Sequence, residues 1–348
     1  MVYKTEEELY ALVRRVLLAA GADRDNADAV AAHLVRANLS GVDSHGVWHL
    51  CRYVEEVQEG SIVPAAHPEI VRETPGSALI SGNWGFGHPV GAYAMELAIA
   101  KAAEHDMAVT SVVQKHHIGR LGHYVEMAAE RGMIGMALAA GQGVADPAAV
   151  PYGGAEKLLH TNPLAVAFPT GVADHPLMFD YATSATAGVK VTNAQRRGQK
   201  LEHGSIVDRH GSPTDDPREF FAGGGHAPFG GHKGYAIMLM VEYLGRIFAG
   251  ADAFADPSRG GIVRHEGATM IAIKADLFQP LDRFEACAAE FAARTRAVPP
   301  APGFAEVLVP GDPEARTREV RRRDGIPIKD DVWQTVVEAG VLVGVTVS

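Results

Sequence analysis

Cysteine is scarce in this chain: Cys51 and Cys287 are the only two in 348 residues, far apart and in no CxxC arrangement. That excludes a disulfide scaffold and a cysteine-rich zinc module, and it suits a reducing, cytoplasmic setting. Basic excess is missing as well. Lys plus Arg number 32 against 42 Asp plus Glu, a formal charge of −10. A nucleic-acid partner is therefore not expected, because such binding rests on phosphate neutralisation. No apolar run reaches the roughly 18 residues of a membrane-spanning helix, so no membrane partner is expected. The opening MVYKTEEELYALVRR carries acids and arginines in its first turns, which predicts no signal peptide. Internal repeats are absent, and so are GxGxxG after a strand, HExxH and the GxxxxGK(S/T) phosphate loop.

What remains is an ordinary globular composition, 47% hydrophobic and 21% charged. The length predicts two domains or one large one. Thr5 with Glu8 reads as a capping box opening a helix whose core positions are Leu9, Leu12, Val13, Val16 and Leu17, with Gly21 as its stop. A second helix is expected over 26–39 and a third from just after Ser44 to about Gln58. Beyond residue 76 the pattern alternates, with strands near 78–81, 108–113, 134–139, 165–168, 177–180 and 270–273. Helices are expected over 89–104, 121–131, 235–248 and 284–295. This alternation argues for layered α/β architecture. The Pro-rich stretch 297–304 reads as a linker, after which charged helical segments over 313–347 rejoin the N-terminal helices.

Three constellations could carry chemistry. Asp43-Ser44-His45-Gly46, continued through His49 to Arg52, would place two imidazoles and a guanidinium within about 60° of one another on a helix that starts after Ser44. Val47, Leu50, Val54 and Val57 would form its core face. A solvated helix face is the bland alternative; a proton donor beside a carboxylate-binding cation is the functional one. Lys115–His123 lies between a predicted strand and a predicted helix, where α/β sheets bind ligands, and Arg120 adds a positive charge. Gly223–Tyr235 is glycine-rich and cationic at a helix start, which suits a pyrophosphate. Gly234, however, stands where a phosphate loop would need Ser or Thr. The GxGxxxG run at 85–91 reads as a turn, and Asp180 as a carboxylate at a strand end.

Taken together, NLSGVDSHG (38–46), KHHIGRLGHY (115–124), HTNP (160–163), FDYATSA (179–185), GSPTDDP (211–217), GHKGYA (231–236) and VPGDPEARTREVRRRDGIP (309–327) resemble the malate/L-lactate dehydrogenase family. Within this non-Rossmann group of 2-oxoacid reductases, the likeness is greatest to its hydroxycarboxylate dehydrogenases. The resemblance covers nearly the whole chain and implies the following. The fold is mixed α/β: a three-layer, mixed-sheet domain over 76–312 that binds the dinucleotide, and a helical subdomain over 1–75 joined by 313–348. The activity is hydride transfer between a nicotinamide cofactor, NAD with NADP as the alternative, and a small-molecule 2-oxoacid or 2-hydroxy acid, in a cytoplasmic homodimer. His45, with Ser44 beside it, matches the histidine at the nicotinamide, and His117 matches one assigned as acid/base in some members. Gly119, Arg120, Leu121, Met178, Phe179, Asp180, Tyr181, Ala182, His232, Lys233, Gly311, Asp312, Pro313 and Glu314 match cofactor contacts.

The chain departs from that pattern at His49, where many members carry the arginine that grips the substrate carboxylate, so Arg52 is the expected substitute. The usual Gly-Lys pair is spelled Gly188-Val189-Lys190. No metal is expected. The alternatives are cyclic imino acid (piperideine-2-carboxylate type) reduction, a metal-dependent lyase or hydrolase built on the paired histidines, and a non-catalytic nucleotide-binding module. The chemistry of 2-oxoacid reduction fits the residues: histidine gives and takes a proton near neutrality, and arginine holds a carboxylate bidentately.

Overall fold

The computed structural model describes residues 1–172 and 174–347. The chain opens with β1 (Val2–Lys4), α1 (Glu6–Ala19), α2 (Arg24–Leu39) and α3 (Leu50–Gln58). It continues through β2 (Glu69–Thr74), β3 (Ser77–Gly85), α4 (Gly87–His105), β4 (Met107–Lys115), α5 (Gly122–Ala129), β5 (Met133–Ala140), β6 (Leu164–Phe168) and β7 (Leu177–Tyr181). Next come α6 (Gly188–Arg197), β8 (Ile206–Val207), β9 (Pro213–Thr214), α7 (Pro217–Phe221), β10 (Gly225–His226) and α8 (His232–Glu242). Last are β11 (Gly267–Lys274), α9 (Leu281–Arg296), α10 (Asp312–Asp324), β12 (Ile326–Ile328) and α11 (Asp330–Leu342).

The main sheet has seven strands in the order β2-β3-β4-β11-β5-β6-β7. Only the β3–β4 pair is parallel; the other pairs are antiparallel. The fold is thus the expected mixed α/β. Helices α4 and α5 cover one face, where Val90, Met95, Tyr124 and Val125 share a core with Ile80, Val112 and Met270. On the other face α8 packs Val241 against Leu138, Ala140 and Leu164. Two small-residue positions let these layers close. A Cβ on Gly91 would lie 2.6 Å from the Tyr124 ring, and one on Gly135 would lie 2.8 Å from the Ala128 methyl.

The first helix forms as its sequence dictates. Thr5 Oγ1 accepts from the Glu8 amide at 3.1 Å while Glu8 Oε2 accepts from the Thr5 amide at 3.0 Å. All five predicted core positions of α1 are buried. They share one cluster with α2, α3 and Ile326, Ile328, Val336 and Ala339 near the C-terminus, and β1 pairs with β12. Neither of these three-residue strands has a sequence signal of its own. The sheet takes in residues 69–74, ahead of the pattern change at 76, because β2 is a charged edge strand that only pairing reveals.

Two expected helices differ. The third does not begin after Ser44: single 3₁₀ turns at Asp43–His45 and Val47–His49 precede α3. The cause is Asn38, whose Oδ1 accepts from the Val47 amide at 2.8 Å. Gly46 is extended there, at φ −92° and ψ −153°, and any Cβ on it would lie 2.1 Å from that oxygen. The apolar helix expected over 235–248 begins at His232 and gives way after Glu242 to a π-turn, Tyr243–Ile247. Periodicity cannot foresee such a turn.

One buried charge cluster ties the helical elements to the sheet. Glu126 on α5 accepts from Arg36 of α2 at 3.2 Å, from Arg120 at 3.2 Å and from Arg318 of α10 at 3.3 Å. Ser40 Oγ accepts from both Arg120 and Arg318, and Asp174 binds Arg36, Arg318 and Arg322. Burial would raise the Glu126 carboxyl, but the three guanidinium groups together hold it below its ordinary value. Nearby, His33 Nε2 accepts the Arg120 amide at 2.8 Å, and burial keeps the His33 and His88 rings neutral, well below 6.5.

Removing a single member should therefore strand buried charge. Glu126→Gln is expected to cost about 3–5 kcal/mol in urea unfolding at pH 7; a loss under 1 kcal/mol would show that the cluster is not a structural tie. The pH dependence carries two signs in one direction. The unfolded chain takes up protons on His33 and His88 below about 6.5 while the folded chain does not, so stability falls as pH drops through that value. The depressed Glu126 contributes stability above 4.5 and loses it as pH falls further. Urea midpoints measured from pH 8 to 4 should decline throughout; a midpoint that is flat below 6.5 would contradict the buried-neutral histidines.

Candidate functional site

A cleft of about 450 Å³ opens between the helical elements and the sheet. The 3₁₀ turns after α2 bring Ser44, His45, Trp48 and His49 to it, and Arg52 follows from α3. The loop after β4 brings His117, Gly119 and Leu121; the end of β7 brings Asp180, Tyr181 and Ala182; the start of α6 brings Ala187, Gly188 and Val189. Because β4 and β7 lie on opposite sides of β11, the cleft runs past the strand ends between them.

Three imidazoles meet here. The His45 ring lies 6.1 Å from that of His117 at 20° and 6.3 Å from that of His49. His45 Nδ1 sits 3.1 Å from Ser44 Oγ, leaving Nε2 for a ligand. His49 Nε2 donates to the Ser44 carbonyl at 3.0 Å, and Trp48 Nε1 donates to the same carbonyl at 2.7 Å. His117 Nδ1 is 2.7 Å from the Tyr53 hydroxyl, which also lies 3.3 Å from His88 Nε2. A phenol has one proton, so Tyr53 donates to one of these rings and accepts from the other.

Burial lowers all three rings. Burial, with His45 and Arg52 adding to it, pushes His49 down to about 3. Burial and the neighbouring rings hold His117 well below 6.5. His45 is lowered by burial and by Arg120, but it alone of the three has a carboxylate, Asp180, favouring its charged form. Asp180 is itself anchored: its Oδ2 accepts from the Gly122 amide at 2.7 Å, at the start of α5. Arg52 Nε donates to Glu56 at 2.8 Å.

The structure brings together Ser44, His45, His49, Arg52, His117, Gly119, Leu121, Asp180, Tyr181 and Ala182. The helical stripe expected for His45, His49 and Arg52 is replaced by two 3₁₀ turns, and His49 is buried rather than solvated. Other expected cofactor contacts lie elsewhere. Arg120 is 2% exposed and committed to Glu126 and Ser40, and Met178 is 1% exposed with its sulfur 3.9 Å from that guanidinium. Phe179 stacks on Tyr181. Asp312 is taken up by Arg296, His175 and the Val309 amide, and a Cβ on neighbouring Gly311 would strike the Pro176 carbonyl at 2.5 Å. Pro313 and Glu314 follow in the first turn of α10, outside the cleft lining. His232 and Lys233 are exposed at the start of α8, beside a second cavity of about 630 Å³ lined by Tyr152, Phe229, Gly230 and Gly231.

Sequence reasoning missed Trp48, Tyr53, His160 and Glu266. Tyr53 stands four residues beyond His49, on the same side of the helix, and received no role. His160 falls in the HTNP motif, which carried the resemblance without a role. Among the described residues no three His, Cys, Asp or Glu side chains converge as metal ligands. The donor set does fit a dinucleotide. Helices α6 and α8 both start without a side-chain cap, so their first amides are free for anionic oxygens. Around Gly230 a Cβ would meet nothing within 4 Å, so the backbone there is open to a ligand.

Residues 5–337 match the malate/L-lactate dehydrogenase family. The chain is 34% identical to a malate dehydrogenase of Pyrococcus abyssi, over 98% of this chain and 94% of the relative. It is 32% identical to hydroxycarboxylate dehydrogenase B of Escherichia coli O157:H7, over 97% and 93%. Its structure resembles the sulfolactate dehydrogenase of Methanocaldococcus jannaschii with a TM-score of 0.89 at 33% identity, covering 99% of this chain and 98% of that one. With its motifs in order and its fold matched end to end, the chain belongs to the malate/L-lactate dehydrogenase family.

Proposed function

We propose that the cleft binds NAD and interconverts a 2-oxoacid with its 2-hydroxy acid, with His45 carrying the proton. Membership of a dehydrogenase family makes the chain a hydroxy acid dehydrogenase that uses a nicotinamide cofactor. The observation that carries the assignment is His45, fixed by Ser44 at Nδ1 and favoured in its charged form by Asp180, within one cleft with Arg52 and His117. NAD rather than NADP rests on the likeness to the hydroxycarboxylate dehydrogenases.

When bound, the nicotinamide supplies the hydride to the carbonyl carbon or takes it from the hydroxy carbon. The chain does the rest. The terminal nitrogens of Arg52, whose Nε is held by Glu56, take the substrate carboxylate and so fix the carbonyl's orientation. His45 Nε2 gives a proton to the carbonyl oxygen in reduction and receives it from the hydroxyl in oxidation. His117, locked by Tyr53 at Nδ1, presents its other nitrogen as a hydrogen-bond partner for the same oxygen. Ala182, Gly188 and the free amides of α6 would hold the nicotinamide end of the cofactor. The start of α8, with His232 and Lys233, would hold its pyrophosphate. Arg120, Met178 and Asp312 support these contacts from behind.

The protein works as a homodimer in the cytoplasm. Met240, Tyr243, Ile247 and Phe248 form an apolar ridge along α8 and its π-turn, 42% to 61% exposed, and a second copy would cover it. Both cysteines are free, which suits reducing surroundings. Among the described residues no helix is long and apolar enough to cross a membrane.

His45→Ala should lower kcat by about 10²–10⁴-fold with a 2-oxoacid and NADH. Tyr53→Phe should leave NADH binding intact while lowering kcat and shifting the pH profile. If His45→Ala keeps more than a tenth of wild-type kcat, the proton belongs to another group. The assay should pair NADH with NADPH and include cyclic imino acids; preferential imine reduction would displace the 2-oxoacid reading. Light scattering should give a dimer, and Tyr243→Glu with Phe248→Glu a monomer; an unchanged mass in the double variant would move the interface elsewhere.

A further inference from the structure

The charges around the cleft are paired off so that only one positive group remains for a substrate anion. Among the described residues Arg52 is the only Lys or Arg side chain lining the cavity. Glu56 holds its Nε, and among the described residues its terminal nitrogens have no hydrogen-bond partner. Lys115 comes close from the end of β4 but is fully buried, and its ammonium is bound to Glu266, whose carboxylate lines the cavity wall. Arg120 lies behind Asp180, with Nε 4.0 Å from its carboxylate, and is spent on Glu126. The lining thus presents one guanidinium, the Asp180 carboxylate, and the Glu266 carboxylate already matched by Lys115. Its histidines add no fixed positive charge: His49 and His117 are held neutral by burial, His160, beside Glu266, is also lowered by burial, and His45 is charged only while it holds the proton that it passes to the carbonyl oxygen.

Part of the cavity lining is apolar and exposed. Trp48 is 38% exposed, packs on His49 with ring centroids 4.6 Å apart, and has its indole nitrogen fixed by the Ser44 carbonyl. It therefore offers an aromatic face and no donor. Val189 at the start of α6 is 41% exposed and lines the same cavity.

We propose that the substrates are 2-oxo and 2-hydroxy acids with a single carboxylate and an uncharged side chain, and that the cleft selects against a second anionic group. This rests on the hydroxy acid dehydrogenase reading and narrows it. One carboxylate meets Arg52. A second carboxylate or a sulfonate would find no unpaired cation and would face Asp180 across a partly desolvated space, where like charges repel strongly. An alkyl or aryl side chain instead covers Trp48 and gains from its own burial. Two positions set the selection: His49, where a neutral ring stands beside Arg52, and Glu266, which cancels Lys115.

The test is a kcat/KM panel with one cofactor: 2-oxobutyrate and phenylpyruvate against oxaloacetate, 2-oxoglutarate and 3-sulfopyruvate. The uncharged side chains should lead the dianions by about tenfold or more. Glu266→Gln, which leaves the Lys115 charge uncancelled, should lower KM for the dianions and narrow the gap at least about threefold. His49→Arg, which adds a guanidinium beside Arg52, should do the same, and it serves where Glu266→Gln does not fold. A wild-type enzyme that turns over oxaloacetate or 3-sulfopyruvate as well as 2-oxobutyrate overturns this proposal alone. No turnover of any 2-oxoacid overturns the hydroxy acid dehydrogenase reading, and this proposal with it.

Discussion

The contact on which the rest of the structure depends is a single buried carboxylate, Glu126, shared by three arginines from three parts of the chain. Arg36 comes from α2, Arg318 from α10 and Arg120 from the loop that reaches the cleft. Burying four charges is costly, and packed apolar residues could hold the same helices together more cheaply. What the ionic cluster adds is register. Arg120 occupies one position only, so the backbone from His117 to Leu121 is fixed, and its amide in turn fixes His33. The next residue but one, Gly122, donates to Asp180. Helical elements, cleft loop and strand-end carboxylate are thereby set against each other by one network.

That network has an electrostatic consequence for the site. Arginines that neutralise Glu126 are unavailable to substrate, and the lysine nearest the cleft is matched to Glu266. The cavity is left with one guanidinium and a group of neutral rings. His45 differs from its neighbours in one respect, the Asp180 carboxylate that favours its protonated form. The same strand-end residue thus anchors α5 through one oxygen and tunes the proton-carrying ring by its charge, so stability and chemistry meet at Asp180.

Much of this was legible in the sequence, and the exceptions have physical causes. The capping box of Thr5 and Glu8 and the 3.6-residue spacing of α1 are local signals, and the helix forms where they place it. The α/β alternation, and the location of Ser44, His45, Arg52 and His117 on one cleft, were likewise readable from strand ends and motif order. The break at Gly46 was not, because it depends on Asn38 of α2 occupying the space where a side chain would go. Arg120 looked like a ligand cation because a loop arginine between strand and helix usually faces solvent or ligand. Its burial follows from Glu126, Ser40 and Arg318, the last of which is nearly two hundred residues away in the chain. Asp312 likewise has a partner the sequence does not announce: Arg296 lies across the linker. Long-range charge pairing leaves no periodic trace.

The central claim is that chemistry takes place where the Ser44–His49 turns face the end of β7, and not in the larger cavity by the glycine-rich turn. The most direct measurement is a crystal structure of the protein with NADH and oxamate, an unreactive mimic of a 2-oxoacid. The account predicts the oxamate carboxylate on Arg52, its carbonyl oxygen within hydrogen-bond reach of His45 Nε2, and the nicotinamide beside Ala182 and Gly188. Oxamate bound against Tyr152 and Gly230, with the His45 cleft holding only water, would contradict it.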